Sequence, residues 1–125
     1  MVSSNFFHYH TLIYCSKNRL KVNFEVMGAK PHIREQDCVA RWGGEEFLFI
    51  LPQTADQSAN ILAEKIKDKV QNHLVNYEGE KINVTVSMGI EQFNGNQSID
   101  EIINNADKYL YKAKAAGRNQ IFPKL

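Results

Sequence analysis

No stretch of this 125-residue chain approaches the roughly 20 consecutive apolar residues that a membrane-spanning helix needs. An excess of one charge sign is missing as well: fifteen basic side chains stand against fourteen acidic ones, for a net charge of +1. That balance argues against DNA, RNA or an anionic membrane as a partner held by bulk charge. Cysteine is scarce, and Cys15 and Cys38 have neither metal-ligand spacing nor the numbers for a disulfide framework, as in a reducing compartment. Residues 6 to 10, Phe-Phe-His-Tyr-His, lack the basic segment and unbroken apolar core of a signal peptide. These absences set the expectation of a cytoplasmic protein.

What is present is an ordinary globular composition, 43% hydrophobic and 23% charged, enough for one domain with its own core. The sharpest local feature is Arg41-Trp42-Gly43-Gly44-Glu45-Glu46-Phe47. Cys38, Val39 and Ala40 precede it and Leu48, Phe49, Ile50 and Leu51 follow, so the glycines fall where two strands reverse. Glycine reaches the positive φ that tight hairpin turns use, which predicts a β-hairpin here. Glu45 and Glu46 then flank bare backbone that a large anion can approach. Such carboxylates suit Mg²⁺ carrying a nucleoside triphosphate, because Mg²⁺ takes one or two protein carboxylates and completes its shell with water and phosphate oxygens. Turn chemistry alone is also satisfied by two solvated glutamates at a hairpin tip.

Residues 1–32 show no sustained period of 2 or 3.6 and read as an irregular segment, with Leu20 to Met27 a short element broken by Gly28 and Pro31. His8, His10 and His32 are scattered and have no clustered carboxylates or cysteines beside them. Further on, Thr54 with Gln57 three residues later predicts a capped helix start. Ala59, Leu62, Ala63, Ile66, Val70 and Leu74 supply the buried stripe of that helix. Gly79 marks a turn, and Ile82, Val84, Val86, Met88 and Ile90 alternate with small or polar residues as one strand. Ser98 with Glu101 repeats the capping pattern before a second helix, whose stripe is Ile99, Ile102, Ile103, Ala106, Leu110 and Ala113 and whose cap is Gly117. Gln120 to Phe122 form a last short strand. The order predicts an α+β fold, helices packed on an antiparallel-rich sheet.

Gly43-Gly44-Glu45-Glu46-Phe47 resembles the signature of the GGDEF family, the diguanylate cyclases, in its Glu-Glu variant. Arg34-x-x-Asp37, five residues ahead of Gly43, is similar to that family's product-inhibition site, and Thr85 to Gly89 to its central strand. Ala106 to Asn119 resembles its closing helix. The resemblance covers residues 33 to 122 and implies a partial GGDEF domain over 33–125, of nucleotidyl-cyclase or palm-like fold. It implies GTP as substrate, cyclic di-GMP as product, a homodimer for activity and Mg²⁺ or Mn²⁺ as cofactor. Glu45 and Glu46 take the catalytic and metal positions. Gly43 and Gly44 face GTP, Lys114 and Arg118 reach its phosphates with Arg41 assisting, and Arg34 and Asp37 form the inhibitory site.

The family also carries an Asp-x-Asp-x-Phe-Lys strand, then Asn-Asp and Gly-His…Gly-Asp stretches that supply a further metal carboxylate and read guanine. None of these is found, so a central strand and its covering helix are expected to be missing, leaving an exposed edge or apolar face. Three readings follow: an impaired cyclase, an inactive cyclic di-GMP-binding module using Arg34 and Asp37, or a nucleotide-independent interaction domain.

Overall fold

The computed structural model describes residues 9–18 and 34–124. A five-stranded sheet runs β2-β3-β1-β6-β7, built from β1 (His10–Lys17), β2 (Cys38–Arg41), β3 (Glu46–Leu51), β6 (Val86–Phe93) and β7 (Ile121–Phe122). Helix α1 (Asp56–Asn72) packs on one face and α2 (Ile99–Ala115) on the other. A separate hairpin joins β4 (Leu74–Tyr77) to β5 (Glu80–Asn83). The α+β layering is the expected one. No described helix is long and apolar enough to cross a membrane.

The expected gap in the sheet is filled, and the irregular reading of residues 1–32 fails at β1. This strand lies between β3 and β6, antiparallel to both, with Tyr14 opposite Leu48 on one side and Gly89 on the other. Its ends are fastened by Thr11 Oγ1 donating to the Thr54 carbonyl at 2.7 Å, and by Asn18 exchanging hydrogen bonds with the backbone of Thr85. Alternation was absent because both faces are covered. Ile13 and Cys15 enter the α1-side core, Leu12 and Tyr14 the α2-side core, and residues 11 to 17 are all buried. Burial of each large apolar side chain is worth about 2 kcal/mol. The expected loss of a covering helix falls on residues 19–33, outside the described residues.

Helix α1 buries Ala59, Ala63, Ile66 and Val70, as the stripe predicts, but it ends at Asn72 and leaves Leu74 in β4, 56% exposed. Its N-cap is Ala55 without a side-chain hydrogen bond. The Thr54 hydroxyl is committed elsewhere, donating to the Pro52 carbonyl at 2.9 Å and accepting from Arg34 at 2.6 Å. The predicted single strand from Ile82 to Ile90 is two strands: Glu78 and Gly79, at φ 51° and 82°, fold β5 back on β4 as a separate hairpin, and the strand geometry breaks at Val84 and Thr85 before β6 joins the main sheet. Ser98 does form the full capping box with Glu101, and Gly117 follows the last turn of α2 at φ 118°. Gly89 lies directly under α2, where an added Cβ would stand 2.5 Å from the Leu110 nitrogen and closer still to the Ala106 carbonyl oxygen.

Two outcomes follow from this packing. Gly89→Ala forces a methyl into helix backbone that has no freedom to yield, so the denaturation midpoint should drop by the equivalent of about 3 kcal/mol. Burial pushes the Cys15 thiol from 9.0 up to about 12, whereas Cys38 is exposed. Alkylation at about pH 8 should therefore label Cys38 alone until the chain is unfolded. Because the folded value is the higher one, the stability that the Cys15 proton provides is complete below pH 9.0 and is lost as pH rises through about 12.

Candidate functional site

The Arg41-to-Phe47 stretch is a hairpin, with Arg41 opposite Phe47 and the Trp42 amide donating to the Glu46 carbonyl at 2.9 Å. Its loop is longer than a two-residue turn, and Gly43 is not at positive φ. Glycine serves a different end there: a Cβ on Gly43 would stand 3.2 Å from Glu46 Oε1, crowding the carboxylate. The loop carbonyls point at cations. Arg41 donates to the Gly43 and Gly44 carbonyls at 3.2 and 3.1 Å, and Lys17 Nζ lies 3.5 Å from the Gly44 oxygen. The backbone of β1 closes the loop from below through Lys17 N–H to the Glu45 carbonyl at 2.9 Å.

The α2 side of the loop carries a polar cluster. Glu46 accepts from the Tyr14 hydroxyl at 2.9 Å through Oε1, and its Oε2 is 3.9 Å from Lys114 Nζ. Burial, the Glu46 hydrogen bond and the charges of Glu46 and Asp107 all push the Tyr14 phenol well above its ordinary range, so it stays a donor. Next to Tyr14 on the same face is Ser16, paired in register with both Glu46 and Ser87; its hydroxyl is buried and has no hydrogen-bond partner among the described residues. Ser87 accepts from the Asn119 amide at 3.1 Å. Arg118 and Asn119 stand at φ 64° and 54°, in the left-handed region that costs a side-chain-bearing residue energy.

On the α1 side, Lys17 is almost wholly buried, 6.0 Å from the Phe47 ring centre. Burial and Arg41 lower its affinity for the proton, while Glu45 and Cys15 raise it. Sequence reasoning missed Tyr14, Ser16 and Lys17. The available signal was the short run Leu12-Ile13-Tyr14-Cys15, long enough for a buried strand.

The donor set does not fit the expected metal centre. Strand β1 contains no aspartate or glutamate. Among the described residues, no group of three or more His, Cys, Asp or Glu side chains is placed to hold a metal ion.

Arg34 and Asp37 lie together, away from the carboxylates of the loop. The Arg34 guanidinium binds both Asp37 oxygens, at 3.2 and 2.8 Å, and also the Pro52 carbonyl and the Thr54 hydroxyl. The Asp37 carboxylate has no exposed surface. The pair thus ties the turn before β2 to the loop entering α1.

The sequence model described as diguanylate cyclase, GGDEF domain, matches residues 29–120. Similar curated proteins include Diguanylate cyclase A of Treponema denticola, 42% identical over 74% of this chain and 25% of its own length. Diguanylate cyclase DgcM of Escherichia coli is 44% identical over 70% of this chain and 21% of its own. This chain therefore spans about a quarter or less of such relatives. Among solved structures, the diguanylate cyclase SiaD of Pseudomonas aeruginosa, in complex with its activator SiaC, superposes with a TM-score of 0.82 at 30% identity, over 95% of this chain and 51% of that one. The active GGEEF domain of a diguanylate cyclase from Vibrio cholerae gives 0.78 at 25% identity, over 98% and 88%.

Removing Arg34 leaves a buried carboxylate without its strongest partner, so Arg34→Ala should cost about 2 kcal/mol, read from urea denaturation. Unchanged stability with loss of cyclic di-GMP binding would instead mark the pair as a ligand site.

Proposed function

The chain belongs to the GGDEF domain family of diguanylate cyclases, and from that premise we propose that it binds GTP at the β2–β3 hairpin without condensing it to cyclic di-GMP on its own. In the family reaction two GTP molecules, one per subunit of a head-to-head dimer, exchange 3′-hydroxyl attacks on each other's α-phosphate and lose two pyrophosphates. That chemistry asks for carboxylates on the strand beside the hairpin as well as on the hairpin itself. The observation that carries our reading is the strand: β1 presents Tyr14, Ser16 and Lys17 to the hairpin and no carboxylate.

Binding needs less than condensation does. Gly43 and Gly44 offer approachable backbone, while Lys114 in the last turn of α2 and Arg118 just beyond it are the phosphate contacts, with Arg41, held on the loop carbonyls, assisting. Glu45 and Glu46 keep the family's catalytic positions, but Glu46 is already held by Tyr14 and Lys114. A buried, internally paired Asp37 carboxylate favours this reading over a cyclic di-GMP sensor. The reading carries a cytoplasmic location with it, where GTP is found, and restricts any role of a homodimer to the condensation step.

The test is incubation of the folded chain at high concentration with GTP and Mg²⁺, followed by analysis of nucleotides. GTP should be retained by the protein in equilibrium dialysis, and cyclic di-GMP should not exceed the amount made by Glu46→Gln. Product that vanishes in Glu46→Gln would overturn the proposal.

A further inference from the structure

Asn94-Gly95 is the one Asn-Gly step in the sequence; every other asparagine is followed by a residue that carries a side chain. The step lies in the connection between β6, which ends at Phe93, and α2, whose N-cap is Ser98. Asn94, Gly95 and Asn96 are all exposed. Gly95 stands at φ 95°, and a Cβ built on it would meet nothing within 4 Å, so neighbouring elements do not crowd it. Among the described residues its amide has no acceptor. At Asn60, Asn104 and Asn105, by contrast, the next residue's amide lies inside a helix and is committed to the helical hydrogen bonds.

The Asn94 side chain is already folded over this peptide. Its Oδ1 accepts from the Asn96 amide at 3.1 Å, and the Asn94 amide donates to Gln97 Oε1 at 3.3 Å. The first of these hydrogen bonds closes a small ring that contains both Asn94 Cγ and the Gly95 nitrogen, the geometry of an Asx turn. The two atoms are thereby kept together in one tight turn, and a held approach replaces a chance encounter. The Asn96 N–H also points at the oxygen on which negative charge gathers when Cγ is attacked, and a donor placed in advance stabilises such charge.

We propose that Asn94 is a site of self-modification, at which the loop converts the asparagine to a succinimide and then to aspartate or isoaspartate. Solvent base takes the Gly95 amide proton. The nitrogen forms a bond to Asn94 Cγ, the bond from Cγ to the side-chain nitrogen breaks, and ammonia leaves. Water then adds to one of the two ring carbonyls. Opening on one side leaves aspartate at this position; opening on the other routes the chain through the former side chain as isoaspartate. One amide and one water become one carboxylate and one ammonium ion, with nothing oxidised or reduced. The product gains a negative charge, and the isoaspartyl form also gains a backbone carbon just ahead of the Ser98 capping box. The site lies at the opposite end of α2 from Lys114 and needs no ligand.

The experiment is incubation of the whole chain, shown by its melting curve to stay folded, in mildly alkaline buffer at physiological temperature, with a parallel sample unfolded in guanidinium chloride. Peptide mapping by mass spectrometry locates the lost amide, and an isoaspartyl methyltransferase with labelled S-adenosylmethionine counts the isoaspartate. Conversion should be confined to Asn94 in the folded chain and should run there no slower than in the unfolded one. It should be lost in Asn94→Gln, whose longer side chain forms the larger ring far more slowly. A folded chain that converts more slowly than the unfolded one would overturn the proposal, since the loop would then be protecting the asparagine. Equal conversion at the other asparagines of the folded chain would overturn it as well.

Discussion

The burial of β1 on both faces is the constraint on which the rest of the molecule depends. Ile13 and Cys15 are shared with the core under α1, Leu12 and Tyr14 with the core under α2, and the backbone of the same eight residues pairs with β3 and β6. Strand β3 also feeds both cores, with Phe47, Phe49 and Leu51 on the α1 side and Leu48 on the α2 side. Backbone pairing between the β2–β3 half of the sheet and β6 runs through β1, which lies between β3 and β6. Its last residues then run directly beneath the hairpin loop, so the strand that joins the cores also sets the chemistry of the candidate site.

That chemistry is dominated by the matching of carbonyls and carboxylates to protein cations. Arg41 and Lys17 meet the loop carbonyls, Lys114 meets Glu46, and the Tyr14 hydroxyl takes the remaining Glu46 oxygen. A lysine as buried as Lys17 is tolerated only where such partners offset its lost hydration. The price is geometric: both Glu46 oxygens already face protein groups, the Tyr14 hydroxyl and the Lys114 ammonium.

Much of this was readable in the residues. The hairpin, both helical stripes apart from the exposed Leu74 and Ile99, the Ser98 capping box and the Gly117 exit each rest on local rules, in which a few neighbouring residues decide the backbone. What was not readable depends on partners distant in the chain. Alternation cannot reveal β1 because neither face is solvated, and Thr54 was misread as a cap because its hydroxyl serves Arg34, 20 residues away. The β4–β5 hairpin was hidden by an apolar alternation that continues across its end, from Ile82 through Val84 into β6. In the site, Glu45 and Glu46 were found by motif, whereas Tyr14, Ser16 and Lys17 have meaning only once β1 is set beside them.

The comparison of matched spans bears on the same point. The match to the family's sequence model begins at residue 29 of this chain and so leaves out β1, whereas the solved structures superpose over 95% and 98% of the chain. A central strand is specified weakly: backbone hydrogen bonds and apolar side chains of suitable volume suffice, and many sequences provide them. Metal chemistry is specified strongly, by carboxylates at particular positions on that strand. The two requirements fall on the same few residues but on different atoms. A chain can therefore satisfy the first with Leu12, Ile13, Tyr14 and Cys15, place Ser16 in register with Glu46, and keep the architecture of a GGDEF domain with no carboxylate on that strand.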